Sequence, residues 1–200
     1  MKAAEQNRPD IAQKRQEWKV IQLGLNPKKL VFLDETGAKT NMTRLYGRAP
    51  IGKRLVDRTP HGHYVNNTYI CGLRHDRIVA PHAFVGAMNA ARFVEYIETI
   101  LLPTLRKGDM VVMDNLSVHI DGRVKPLIES KGAKLLYLPA YSPDLNPIEL
   151  SFSKLKSLLR KEKIRDVPTL QKFLRESGNL FTKKECQNYF KHYGYTTHKH

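Results

Sequence analysis

Three short apolar runs punctuate the chain, at residues 30–33 (LVFL), 110–113 (MVVM) and 134–138 (KLLYL). Each is too short for a helix and is bounded by polar or turn-forming residues, which predicts buried strands. The first two end on an aspartate, Asp34 and Asp114. Residues 64–73 and 78–85 are β-prone and are separated by Arg74, His75, Asp76 and Arg77, a pattern that predicts an antiparallel pair. Residues 36–63, rich in Gly, Thr, Arg and Pro, predict a loop-rich hairpin or two short strands.

Helical spacing fills the intervals between these runs. Ile11, Trp18, Val20, Ile21 and Leu23 recur at roughly helical intervals within residues 1–25, ahead of Asn26 and Pro27. Residues 89–107 predict a helix capped by Asn89, with Phe93, Ile97, Ile100 and Leu101 on its apolar face. A short helix over 121–131 is closed by Gly132. A proline-rich turn over 139–147 then leads into a helix over 147–161, with Asn146 as its N-cap and Pro147 as its first residue. Val167 and Pro168 open a further helix, residues 182–192 form another, and residues 196–200 are expected to fray. The order strand, hairpin, helix, strand, helix, strand, helix gives an α/β fold. Two apolar strands joined by a helical crossover lie parallel in one sheet. As neighbours they deliver Asp34 and Asp114 side by side, and the helix from Pro147 brings Glu149 to the same edge.

Charge changes this picture more than composition does. There are 34 Lys and Arg against 19 Asp and Glu, a net +15. Residues 151–200 alone carry 12 basic and four acidic side chains. Such an excess points to a polyanionic partner, nucleic acid first and an anionic membrane surface second. The two cysteines, Cys71 and Cys186, lack the paired spacing of a zinc ribbon or a disulfide framework. No apolar leader and no run of membrane-spanning length is legible, so a cytoplasmic, reducing setting is the expectation. No GxxxxGK[ST] phosphate loop is present, which argues against an ATP-driven enzyme.

Hard divalent cations prefer carboxylate oxygens. Two such ions held close together suit phosphodiester chemistry. Asp34, Asp114 and Glu149 come from separate elements and could converge on such a site. Each also has a plain structural explanation. Asp34 could cap the segment after its strand, and Asp114 with Asn115 could form an Asx turn. Glu149 stands three residues after Asn146, a capping-box spacing. Glu35 points away from Asp34 on a strand and is at most a supporting residue.

The strings VFLDET (31–36), VMDN (112–115) with His119, and LPAYSPDLNPIE (138–149) resemble the catalytic core of mariner-superfamily transposases, most of all the bacterial insertion-sequence branch. Asp114 and Glu149 are separated by 34 residues, the interval of that family's Asp-Asp-Glu triad. The resemblance runs over nearly the whole chain. It implies a ribonuclease H-like mixed sheet of about five strands flanked by helices. A helical lead-in over 1–28 would precede a catalytic domain over 29–165, with a helical extension over 166–200 packed on the same domain.

The resemblance further implies that Asp34, Asp114 and Glu149 hold two Mg²⁺ or Mn²⁺ ions. Asn115, His119, Tyr141, Ser142, Pro143 and Asn146 would shape the site or touch DNA. The implied reactions are metal-dependent cleavage at transposon ends and transfer of the freed 3′-hydroxyl into target DNA. A nuclease without strand transfer and a catalytically silent DNA-binding remnant stay open beside them. Lys154, Lys156, Arg160 and Lys161, with Lys163 and Arg165, are candidates for the DNA backbone, against the alternative of a solvated helix face. Arg44, Arg48, Lys53 and Arg54 are a second basic group, and His61, Gly62 and His63 read as a loop. The implied partners are double-stranded DNA and a second copy of the chain. Barely 30 residues precede the first strand, too few for the family's helix-turn-helix region, so the expectation is a separately encoded domain, a frameshift-joined one, or a truncated copy.

Overall fold

A computed structural model describes residues 4–44, 46–56, 58–60 and 63–196. Its centre is a five-stranded sheet of order β3-β2-β1-β4-β5, formed by β1 (Leu30–Lys39), β2 (Asn66–Arg74), β3 (Ile78–Val85), β4 (Met110–Met113) and β5 (Lys134–Tyr137). β1 pairs with β2 and β2 with β3 antiparallel, while β1 with β4 and β4 with β5 run parallel. β1 is therefore the hinge between a hairpin half and a crossover half.

β1 is longer than its apolar run. It pairs with β4 only over Leu30–Phe32, then continues beside β2 as far as Lys39. Asp34 thus lies inside a strand rather than at its end. Two short strands within 36–63 are also not found: Thr36 to Lys39 belong to β1, and no strand occurs among the described residues between Lys39 and Asn66. The β2–β3 register shifts between Ile70 and Gly72. Ala80 there has a φ of 52°, and Pro81 beside it has no N–H to add to the ladder.

Alternation along the strands sorts the core into two layers. Leu30, Phe32 and Val112 face one layer, whereas Val31, Leu33, Val111 and Met113 face the other. The first layer is covered by α1 (Pro9–Leu23), α4 (Ile148–Glu162), α5 (Val167–Arg175) and α6 (Lys183–His192), which contribute Trp18, Phe152, Leu170 and Phe190 among others. The second is covered by α2 (Ala90–Tyr96) and α3 (Val124–Ser130), through Phe93 and Ile128.

Several helix bounds differ from the sequence expectation for identifiable reasons. The lead-in helix starts at Pro9, whose fixed φ suits a first helical residue, and a separate 3-10 turn (Ala4–Asn7) precedes it. Asn89 caps α2 as expected by accepting from the Arg92 N–H at 2.9 Å. The helix then widens into a π turn (Ile97–Leu101) and ends at Thr104 rather than near Lys107, with Pro103 in its final 3-10 turn. α3 begins three residues later than expected and ends before Gly132, whose φ is 68°. At the base of the sheet, Arg74 donates to Asp109 at 2.5 Å and to the Thr104 carbonyl at 3.0 Å, both partners of the ion pair being buried. Among the described residues, no helix is long and apolar enough to cross a membrane. Residues 197–200, expected to fray, and His61 with Gly62 lie outside the described residues.

Candidate active site

Register places the two aspartates together. Phe32 is level with Val112 across the parallel pair, so two residues further on Asp34 is level with Asp114. The same parity puts both on the Phe32 and Val112 face, the face covered by α4. Glu149, in the first turn of α4, meets them there. All three line one cleft of about 380 Å³, together with Asn115, Leu116, Asn146 and the loop Leu138 to Pro143.

Asn146 departs from its expected role. It makes no side-chain cap on α4, which begins one residue later than expected, after Pro147. Its amide instead donates to Asp34 Oδ2 at 2.8 Å. The capping-box explanation of Glu149 therefore fails, since no Asn146 side chain is at the helix start to reciprocate. The Asn146 Oδ1 is buried with no hydrogen-bond partner. A helix start without a cap and an unsatisfied carbonyl each cost about 1 kcal/mol or more, so local stability does not explain this arrangement.

Charge accumulates in the cleft. Asp34 is 9% exposed and accepts from the Glu35 N–H at 2.7 Å. Burial, then the neighbouring Asp114, push its carboxyl up to about 7. Glu149 is raised as well, chiefly by burial, with Lys156 opposing and Asp114 adding to the shift. Asp114 takes its described hydrogen bonds on Oδ1, from the Leu116 N–H at 3.2 Å and from His119 Nδ1 at 2.5 Å. His119 Nε2 lies 3.0 Å from Glu35 Oε2. Burial alone would lower the His119 pKa, but the contacts to Asp114 and Glu35 outweigh it and raise the value to about 9. Glu35 does point away from Asp34, onto the opposite face of β1.

The donor set is all oxygen and crowded with negative charge, which fits a hard divalent cation. Both oxygens of Asp34 and one oxygen of Asp114 are already engaged by protein groups. Among the described residues, no three His, Cys, Asp or Glu side chains are gathered as a ready cation cage. The arrangement supplies ligands and an unbalanced charge rather than a finished coordination sphere.

The cleft wall is braced from an element the sequence reading treated only as a lead-in. Arg15 of α1 donates to Ser142 Oγ at 2.7 Å and grips both oxygens of Asp144 at 2.9 and 2.5 Å. Gln6 donates to the Tyr141 carbonyl at 2.6 Å. Tyr141 is held at a φ of 56° and is half exposed at the cleft mouth. Nothing in the spacing of Arg15 or Gln6 marks them, because their partners are more than 120 residues away.

The basic residues divide. Lys154 is not available as a DNA contact: its ammonium donates to Glu185 and to the Leu180 carbonyl, each at 2.6 Å, and lies over the Phe181 ring. Arg165 donates to the Thr40 and Met42 carbonyls and so fastens the long β1–β2 connection. Lys156 lies on the Glu149 side of α4, Arg160 is half-buried and Lys161 exposed. Arg44, Arg48, Lys53 and Arg54 are exposed in the 40–65 connection.

A family model described as DDE superfamily endonuclease matches residues 29–171. No curated protein matches the chain. Among solved structures, the catalytic domain of Mos1 mariner transposase aligns with a TM-score of 0.67 at 13% identity, covering 94% of this chain and 91% of that one. The Mos1 strand transfer complex aligns at 0.74 and 17% identity, covering 91% of this chain and 58% of that one. The Mos1 paired end complex with Mn aligns at 0.75 and 16%, covering 96% and 61%. These likenesses establish the ribonuclease H-like fold, and the chain spans about three fifths of the longer Mos1 chains.

Proposed function

The chain belongs to the DDE superfamily endonucleases, and on that footing we propose that it is a transposase catalytic domain of the mariner type, in its insertion-sequence branch. One observation carries the reading: Asp34, Asp114 and Glu149, from two strands and a helix start, line a single cleft. We take these three as ligands of a pair of Mg²⁺ or Mn²⁺ ions. When bound, such a pair activates the attacking oxygen and stabilises the leaving one in phosphodiester chemistry. The protein's own part is to hold the carboxylates and the DNA in place. Asn146 and the Glu35 N–H fix both oxygens of Asp34. Asn115, Tyr141, Ser142 and Pro143 line the path of the scissile strand. Lys156, Arg160 and Lys161 neutralise phosphates along α4.

The reaction is hydrolysis at a transposon end, freeing a 3′-hydroxyl, followed by attack of that hydroxyl on target DNA. Two ends require two copies of the chain. End recognition falls to a helix-turn-helix domain joined or encoded elsewhere. The test is Mg²⁺- or Mn²⁺-dependent nicking of supercoiled plasmid, with joining of a pre-cut 3′-hydroxyl duplex to that plasmid. Asp114→Asn should keep its thermal unfolding and lose both reactions; full activity in that variant refutes the assignment. Nicking without joining would make the chain a nuclease of the same fold. Salt-sensitive DNA binding that metal does not turn into cleavage would make it a silent remnant.

A further inference from the structure

Asp34 and Asp114 are not supported alike. Asp34 lies within a ten-residue strand, with each of its oxygens held by a hydrogen bond. Asp114 follows the last residue of the four-residue β4, and its side chain is 35% exposed. A carboxylate there would exchange rotamers freely unless something held it, and binding an ion would have to freeze that freedom.

The structure places one group against that freedom. His119 is 1% exposed, and its ring lies 4.4 Å from that of Phe93. Its carbonyl accepts from the Tyr137 hydroxyl at 3.0 Å, which ties the 3-10 turn (Ser117–His119) to β5. The ring can therefore move little. Nδ1 meets Asp114 Oδ1 at 2.5 Å and Nε2 meets Glu35 Oε2 at 3.0 Å. The link runs from Glu35, next to Asp34 on β1, through a packed ring to Asp114 beyond β4. One short stretch of β1 thus governs both aspartates, one through its own side chain and backbone and the other through the chain Glu35, His119, Asp114.

We propose that His119 and Glu35 are positioning residues that commit Asp114 Oδ1 to the protein and leave its Oδ2 turned to the cleft, so that they set the affinity of the site for its divalent ion. This rests on the reading of Asp114 as a metal ligand. Groups behind a metal ligand commonly change affinity by about 10–100-fold when removed.

The probe is Mn²⁺ alone, titrated into the full chain without DNA and followed by the loss of free-ion electron paramagnetic resonance signal. Glu35→Gln is close in shape and its residue is partly exposed, so the fold should survive it; His119→Gln is the companion variant. Affinity is read well below each variant's own metal-free Tm, so a loss of stability cannot pass for a loss of affinity. Glu35→Gln is expected to bind Mn²⁺ about tenfold more weakly than the parent, and His119→Gln at least as weakly as Glu35→Gln. Parental Mn²⁺ affinity in Glu35→Gln overturns the brace. Asp114→Asn separates this from a failure of the metal reading. If the parent binds no Mn²⁺, or Asp114→Asn binds it as tightly as the parent, the ligand assignment falls and the brace falls with it.

Discussion

Replacing Asp34 by asparagine should make the protein more stable while destroying its proposed chemistry. The Asp34 carboxyl is pushed from 3.8 to about 7 by burial and by Asp114. That displacement corresponds to roughly 4 kcal/mol, since a tenfold change in proton affinity is worth about 1.36 kcal/mol. The sign follows from proton binding. The folded state holds this proton more tightly than the unfolded chain, so its stabilising contribution is complete below pH 3.8 and is lost as pH rises through about 7. Above that, the native protein carries an uncompensated buried charge. Asp34→Asn removes the titration. It also keeps the hydrogen-bond inventory, because the Glu35 N–H still has an oxygen to reach. A flipped Asn146 amide can accept from the new side chain through an oxygen that otherwise has no partner.

The assay is calorimetric unfolding in EDTA from pH 4 to pH 9. The variant should match the parent near pH 4, gain steadily to pH 7, and level off with a surplus of about 2–4 kcal/mol. For a chain of this size that is a Tm gain of roughly 5–15 °C. Saturating Mg²⁺ should then raise the parent and leave the variant unmoved, closing the gap. An equal Tm at pH 8 in EDTA, or a gap that does not depend on pH, would refute the reasoning.

Three further outcomes test other parts of the structure. Asp109→Asn leaves the buried Arg74 guanidinium without its counter-charge and should cost about 3–5 kcal/mol by urea unfolding; a loss below 1 kcal/mol would mean water reaches the pair. Arg15→Gln should release the 140–145 loop, read as faster amide hydrogen exchange there than in β4, with about 1 kcal/mol lost in global stability because Asp144 is half exposed. Lys156→Ala should weaken DNA binding at all sequences and lower the log–log salt slope by about 1, whereas Lys154→Ala should leave that slope unchanged and lower stability instead.

Much of this was legible in the chain because continuous apolar runs leave few options. Leu30 to Leu33 and Met110 to Met113 can only be buried strands, and parity along them places Asp34 and Asp114 on one face. What stayed hidden depends on partners distant in sequence. Gly37, Ala38 and Lys39 carry little β-propensity of their own, and pairing with β2 makes them strand. Asn146 stands where a cap belongs, and only the proximity of Asp34 shows that its amide is used elsewhere. Lys154 looks like its basic neighbours until α6 brings Glu185 to it. The brace through His119 was invisible because Glu35 and His119 are 84 residues apart.

The neighbouring acids on β1 also bear on how the protein can change over generations. Asp34 and Glu35 sit on opposite faces, one on the cleft and one under His119. Loss of a single codon between Leu30 and Asp34 would exchange those faces, with a glutamate arriving in the cleft and no carboxylate left under His119. Such a copy would fold poorly as well, since the two core layers would trade their side chains. Length drift is thus barred from this strand, while the described residues of the 40–65 connection contribute few core side chains and that connection can absorb it.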